Sequence, residues 1–468
     1  MNWIILIRAL SGFFAALAVP TTLCALWAFG NDHYVQASLF ILVLTILIVG
    51  SAVFRIASKG HRTSDARPRD VIGFLIAAWI SLAFLGAIPF VNAAGDRLVV
   101  ALFESVSSAT TTGTSLLPEE FSLLASLFAW RGILHLTGAI LSIGGMVMVV
   151  RMVGTSVPGL DAKTTAISLP GIAHQGLFRI FWAVGALVLL LSVVSGALLL
   201  IDGYAIREAF GLSVSAVTSG RVFGIDEVAD SMSTFGATVL IVTMFIGMLN
   251  AVLIFNSPRK PLQLLVDAET ITLATITVIL SGLVFFLFDG QHHLATAIGV
   301  AVSIMSTSGL FISPGHLLDI PVPVLLFFGF MGGAAISATG GMKIYRMLVL
   351  LSQAGNEFSK LAQPHAVTRA QANESQIPAR FVLTVWAYLV GFAMLSIVLA
   401  AILALNGATF EQAIVSSLGS ITNSAALLTL EWIDNSWSRT FSELILSIFM
   451  VLGRLELLLL ASLFFSDR

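Results

Sequence analysis

Long apolar stretches and short amphiphilic ones alternate along this chain with a regular beat. A membrane-spanning helix needs about 20 mostly apolar residues. Stretches of that kind cover 3–29, 35–57, 71–93, 122–151, 176–201, 233–256, 268–289, 321–351, 380–405 and 440–464. Four shorter ones, near 97–109, 206–217, 294–305 and 410–419, are too short to span. Each of these ends at a run of small hydroxyl residues: Thr110-Thr111-Thr112-Gly113-Thr114, Thr218-Ser219-Gly220, Ser306-Thr307-Ser308-Gly309 and Ile421-Thr422-Asn423-Ser424. The runs recur roughly every hundred residues, too far apart for a solenoid unit but suited to a repeated membrane module.

The short stretches read as re-entrant half-helices, because irregular backbone at membrane depth is tolerated only inside protein or along a water-filled path. The fold class this predicts is an all-α integral membrane protein: two lead-in transmembrane helices, then four pseudo-fourfold helix–pore half-helix–helix modules around one central pore. The expected boundaries are 1–70 for the lead-in pair, 71–151, 152–256 and 257–351 for the first three modules, 352–379 for a cytoplasmic linker and 380–468 for the fourth module. The segment 344–379, with Gln353, Asn356, Glu357, Lys360, His365, Arg369, Gln371, Asn373 and Glu374, is too short for a domain and serves either as a plain linker or as a partner's docking site.

Charge placement orients the modules. Lys and Arg fall in alternate connections: Arg55, Lys59, Arg62, Arg67 and Arg69; Arg151, Lys163 and Arg179; Arg259 and Lys260; Lys343, Arg346, Lys360, Arg369 and Arg380. The positive-inside rule makes these cytoplasmic, with a cytoplasmic N-terminus and all four half-helices entering from outside. The opposite connections carry acid: Glu119, Glu120, Asp226, Glu227, Asp230, Asp289, Asp319, Glu411, Glu431 and Asp434. Solvated loop charges and an acidic mouth that enriches cations both give this pattern.

Composition narrows the function. The 468 residues are 57% hydrophobic and 10% charged, with a mean hydropathy of +0.99. Soluble domains carry about 25% charged residues. A net charge of −2 and the lack of a basic face leave no case for a nucleic-acid partner. The lone Cys24 excludes an intramolecular disulfide or Cys-based metal cluster. The apolar N-terminus is expected to be a retained span rather than a leader, given the many equally apolar segments after it. No Gly-rich Lys-Ser/Thr phosphate loop is present, so a self-contained ATP-driven pump is not expected and neither is an enzyme. His135, His292, His293 and His316 lack metal-ligand spacing and read as packing or surface residues.

A half-helix that enters from outside aims its carbonyl end, with its partial negative charge, at the axis. Hydroxyl and carbonyl oxygens beyond it can replace the water of a monovalent cation. The candidate ion-filter residues are Thr111, Thr112, Gly113, Thr218, Ser219, Gly220, Thr307, Ser308, Gly309, Thr422 and Asn423. The adjacent pairs Gly332-Gly333 and Gly340-Gly341 interrupt an apolar helix. Small-residue helix packing is one reading of them; a broken helix that blocks and unblocks the path is the other, since each Gly costs about 1 kcal/mol of helix propensity. Lys343 follows directly, either within the broken region or as the first cytoplasmic residue. Arg454 lies within an apolar run, where a charge is costly; it either snorkels to the surface or serves as a barrier or gate.

The chain resembles the Trk/Ktr/HKT superfamily of potassium transporters, most of all its bacterial TrkH-like membrane subunits. Phe103-Glu104-Ser105-Val106-Ser107 followed by Thr110-Thr111-Thr112-Gly113 resembles the family's first pore helix and filter. Gly332–Lys343 resembles its glycine-rich gating loop, and Gly453-Arg454-Leu455-Glu456 its last inner helix with a pore-facing arginine. The resemblance implies uptake of potassium, or a related monovalent cation, across the bacterial cytoplasmic membrane, driven by the membrane potential. It implies gating by Gly332, Gly333, Gly340, Gly341, Lys343 and Arg454, and K+ held only at the filter residues. It also implies a homodimer in membrane lipid and a peripheral cytoplasmic subunit that binds nucleotide, so that no cofactor resides in this chain.

Two features depart from the family pattern. Counting glycines, Gly113, Gly220 and Gly309 take the first three filter positions and Asn423 takes the fourth; Asn tolerates left-handed backbone better than most residues. Arg221 follows Gly220 as a filter-edge modifier, and a positive charge there opposes cation occupancy unless it points outward or pairs with Asp226 or Glu227. On this reading Arg221→Gly raises flux and Asn423→Gly sharpens selectivity. The same two residues favour the alternatives, a nonconducting regulatory paralogue or a channel with relaxed or sodium-leaning selectivity.

Overall fold

The computed structural model describes residues 3–60, 68–117, 124–153, 177–222, 232–256, 261–287, 294–310, 320–362, 379–428 and 436–455. Among them all regular structure is helical. The lead-in pair is α1 (Trp3–Gly30) and α2 (Tyr34–Ala57). The first module has outer helix α3 (Pro68–Ala87), pore helix α4 (Leu98–Ala109) and inner helix α5 (Ala125–Val153). The second has α6 (Leu177–Ile201), pore helix α7 (Ile206–Thr218) and an inner helix in two pieces, α8 (Thr234–Met248) and α9 (Ala251–Asn256). After the short α10 (Pro261–Val266), the third has α11 (Ala268–Leu287), pore helix α12 (Leu294–Met305) and an inner helix split into α13 (Val322–Met331) and α14 (Ile344–Ala362). The fourth has α15 (Ala379–Leu405), pore helix α16 (Phe410–Thr422) and inner helix α17 (Ser436–Arg454).

Seven described helices are long and apolar enough to cross a membrane. The outer helices show lipid-ready faces, such as Val278 and Phe286 on α11 and Leu383, Met394 and Ile397 on α15, all exposed. The pore helices are 12 or 13 residues long. At 1.5 Å per residue they reach about 20 Å, short of the roughly 30 Å hydrocarbon core. Their first turns are set by local chemistry: on α16 a capping box joins Thr409 and Gln412, at 3.0 and 3.3 Å. Their last two turns are buried almost completely.

The packing closes a ring. Each pore helix touches its own inner helix and that of the preceding module: α4 lies between α5 and α17, α7 between α8 and α5, α12 between α13 and α8, and α16 between α17 and α13. The lead-in helices stand outside this ring and pack on the first module. There Phe40 meets the fully buried Trp130 edge-on at 5.6 Å, and Gln36 donates to the Pro89 carbonyl at 2.6 Å.

Two expectations change. The second inner helix is not continuous over 233–256 but stops at Met248 and restarts at Ala251. The signal in the sequence was Asn250: its Oδ1 accepts the Val252 N–H at 3.1 Å, an N-cap that starts a new helix. Second, α14 runs to Ala362, so residues 352–362 of the expected linker are helical. The glycine interruption of the third inner helix is the broken helix that its glycine pairs favour, not close packing through small residues. The expected end of the last helix, with Glu456, lies outside the described residues. So do the acidic residues expected at the mouth apart from Glu411, and the basic residues Arg62, Arg67, Lys163, Arg259, Lys260 and Arg369.

Candidate ion filter and gate

The pore helices end alike. Thr111, Ser219, Thr307 and Asn423 are all left-handed, with φ between 52° and 58°. The residue after each left-handed position reaches back five residues in three of the loops: Thr112 to the Ser107 carbonyl at 2.9 Å, Gly220 to Ser215 at 3.2 Å and Ser424 to Gly419 at 2.9 Å. Thr110, Thr218, Ser306 and Thr422 stand just before it, and their hydroxyls bond back into their own helices at 2.7, 2.8, 3.2 and 2.7 Å. The loops are therefore in register as 110-111-112-113, 218-219-220-221, 306-307-308-309 and 422-423-424-425.

This register corrects the glycine count. Asn423 aligns with Thr111, Ser219 and Thr307, not with a filter glycine. The residues in line with Gly113 are Arg221, Gly309 and Ala425. Gly220 aligns with Thr112 and Ser308, one place earlier. Counting glycines failed because a helix C-terminus and its backbone hydrogen bonds set the register, and composition does not carry that information.

The four loops meet as one buried assembly. A Cβ on Gly113 would overlap the Arg221 backbone, and one on Gly220 would overlap the Thr111 carbonyl. A Cβ on Gly309 would lie 2.7 Å from the Ala426 nitrogen. Asn423 Nδ2 donates to Thr112 Oγ1 at 3.2 Å and to the Met450 carbonyl at 3.0 Å, tying the fourth loop to the first and to α17. Thr111, Thr112, Thr218, Ser219, Thr307, Ser308, Thr422 and Asn423 are all buried. Arg221 is buried too, and the Asp226 and Glu227 proposed to pair with it lie outside the described residues.

The broken segment 332–343 packs directly beneath this ring. A Cβ on Gly340 would overlap the Thr422 carbonyl oxygen, while the Gly340 N–H donates to Thr307 Oγ1 at 3.1 Å. Gly332 and Gly341 both have positive φ, 68° and 80°, and a Cβ on Gly341 would lie 2.9 Å from the Gly332 backbone, a turn only glycine forms without strain. Gly333 donates to Thr339 Oγ1 at 3.0 Å.

Arg454 is buried rather than snorkelling. Its Nε donates to the Thr110 carbonyl at 2.6 Å, its Nη1 to Ala338 at 2.6 Å and Thr339 at 3.4 Å, and its Nη2 to Thr111 Oγ1. One guanidinium thus joins the first filter loop to the broken segment. Lys343 is also buried, not cytoplasmic; its Nζ donates to the Ser337 carbonyl at 3.3 Å and to the Thr339 carbonyl, and its own φ is 72°. Two cationic side chains and a block of backbone therefore pack against one end of the ring of loops.

Sequence reading missed two neighbours of the filter on α5. Arg131 reaches the Gly113 carbonyl at 3.5 Å and Glu104 at 3.9 Å. Glu104 Oε1 in turn accepts Ser115 Oγ at 2.8 Å and the Leu117 N–H at 3.2 Å, bracing the strand that leaves the filter. His135, one turn beyond Arg131, is fully buried, and its Nδ1 would stand 2.8 Å from a Cβ on Gly220. The available signal was a charged residue and an imidazole four apart in an apolar span. Among the described residues no cluster of His, Cys, Asp or Glu could hold a transition metal. The hydroxyl and carbonyl oxygens gathered at the loops are hard donors.

No family model matches the chain. Its relatives do. It is 29% identical to the Trk system potassium uptake protein TrkH of Vibrio parahaemolyticus, over 77% of each chain. It is 26% identical to TrkH of Halomonas elongata over 91% of each. The crystal structure of the potassium transporter TrkH from Vibrio parahaemolyticus matches 99% of this chain and 98% of its own, with a TM-score of 0.82 at 23% identity. The chain is similar to TrkH over most of its length. The fold match extends over all four modules, and with seven apolar helices long enough to span, the chain is a multi-pass membrane protein.

Proposed function

We propose that this chain carries potassium into the cell across the bacterial inner membrane through the path between its four modules, down the membrane potential. The observation that carries this reading is the ring of four pore-helix ends. Each presents a hydroxyl or amide residue in left-handed backbone, and together they form one buried set of oxygen donors. The TrkH relatives, named for potassium uptake, support the choice of ion. The driving force is about 2.3 kcal/mol per charge for every 100 mV of membrane potential. The chain's part is to desolvate, select and gate, with no covalent step and no resident cofactor.

The same reading places the N-terminus in the cytoplasm, two copies of the chain side by side, and a peripheral cytoplasmic subunit that binds nucleotide and drives the gate in trans. Flux of K+, Rb+ and Na+ into liposomes holding the purified chain, with and without a candidate partner, tests it. Uptake that favours K+ and Rb+ over Na+ is the expected result. No uptake under either condition sinks conduction and leaves the regulatory paralogue.

A further inference from the structure

The second inner helix is apolar enough to run unbroken, yet it breaks beside the gate. Leu249 turns extended, with ψ of 167°, and Asn250 caps the short helix that follows. In a continuous helix the Met248 carbonyl would accept from Val252 and the Ala251 N–H would donate to Gly247. Here three of these groups are partnered elsewhere. The Met248 carbonyl accepts the Ala334 N–H at 2.9 Å, and the Ala251 N–H donates to the Ile336 carbonyl at 2.8 Å. The Val252 N–H goes to Asn250 Oδ1 at 3.1 Å. Asn250 is 1% exposed, and its Nδ2 faces Glu269 at 3.5 Å, itself 1% exposed.

The broken gating segment and the broken second inner helix therefore exchange backbone hydrogen bonds. If the segment moved away, the Met248 carbonyl and the Ala251 N–H would be stranded at membrane depth, a state the surroundings penalise heavily. Closing α8 onto α9 would satisfy both. We infer that the break at Leu249–Asn250 is the second half of the gate: broken and docked when the path is shut, continuous when it opens, with Asn250 as the positioning residue that sets the balance. This rests on the conduction proposed above. It differs from the blocking role of the 332–341 segment, because it assigns the resting partner of that segment and the element that rearranges with it.

The test is gain of flux, which misfolding does not produce. In liposomes holding the full chain without a partner, Asn250→Ala removes the cap and favours the continuous helix. Rb+ uptake is expected to rise about fivefold, with the K+ to Na+ ratio unchanged because the filter is untouched. Asn250→Ser keeps a capping hydroxyl and stays within about twofold of the parent. Gly333→Ala approaches from the other side: its Cβ would lie 2.8 Å from the Met248 carbonyl oxygen and 2.5 Å from Thr339 Oγ1, and it too is expected to raise uptake. Should one variant fail to reach the membrane, the other carries the comparison. If the parent conducts and neither variant raises uptake, the inference is overturned while conduction stands. If nothing conducts, amide exchange at Ala251 and Ala334 decides: faster exchange in Asn250→Ala but not in Asn250→Ser supports it, and equal protection in all three overturns it.

Discussion

The first and third filter loops differ from the second and fourth in one respect that sequence similarity hides. Gly113 and Gly309 both sit at positive φ, 80° and 59°. Arg221 and Ala425 occupy the same register without it. Two opposite quadrants thus make two left-handed turns each, and the other two make one. Fourfold in topology, the ring is twofold in backbone. The lesson is that glycine is required only where the chain turns twice. Where it turns once, a side chain is accepted, and that is how a charged residue came to stand at a filter edge.

The largest test of this contrast is Gly113→Ala. The substitution sets an L-residue at φ 80° and drives its Cβ into the Arg221 backbone. A left-handed residue costs about 1–2 kcal/mol before any clash, so Rb+ uptake per inserted protein should fall by tenfold or more, roughly, and Gly309→Ala should follow it. Survival of both would mean that the two-turn path does not form the filter.

Arg221→Gln comes next. A buried positive charge 4–6 Å from a cation site opposes occupancy by about 3–4 kcal/mol at an effective dielectric near 20, an upper bound for a group with neighbours of its own. The half-saturating K+ concentration should fall by about tenfold, with maximal flux changing less. An unchanged half-saturation would place the guanidinium's field away from the ion. Glycine at this position adds chain entropy without relieving any positive φ, so glutamine is the sharper probe.

Asn423→Gly reverses the expectation drawn from glycine counting. Glycine keeps the left-handed backbone but loses the bonds to Thr112 and Met450. Each is worth about 1 kcal/mol. The fourth loop should loosen against the first, and discrimination of K+ over Na+ should weaken by about fivefold; sharper discrimination would restore the glycine-count register. The smallest effect is expected of Ala425→Gly, within about twofold in both flux and selectivity, because that residue's φ makes no demand on it. A large change there would remove the distinction between the two pairs of loops.

How much of this was legible in the chain depends on the range of the forces involved. The half-helices were read within a few residues, because their length and their hydroxyl ends are local properties. The interruption at 332–343 was read from its glycine pairs, although small-residue packing was the rival reading until the break was seen. The break at 249–250 was passed over because one Asn in an apolar span carries a weak signal, and its meaning depends on Ala334 and Ile336 in another module.

By itself the sequence determined that this is a membrane protein, that it holds four modules, and that hydroxyl residues end each pore helix. Apolar length and residue type act over one or two turns, and hydrocarbon leaves the backbone few alternatives. Tertiary structure alone decided which residues align across the four loops, that Arg454 and Lys343 turn inward, that Arg131 stands behind Gly113, and that two inner helices rather than one are broken. The bonds of Arg454 to Thr110 and Ala338, of Arg131 to Gly113 and of Ala251 to Ile336 join residues far apart in the chain. Such a bond depends on where the ring brings the partners together, which no local pattern records.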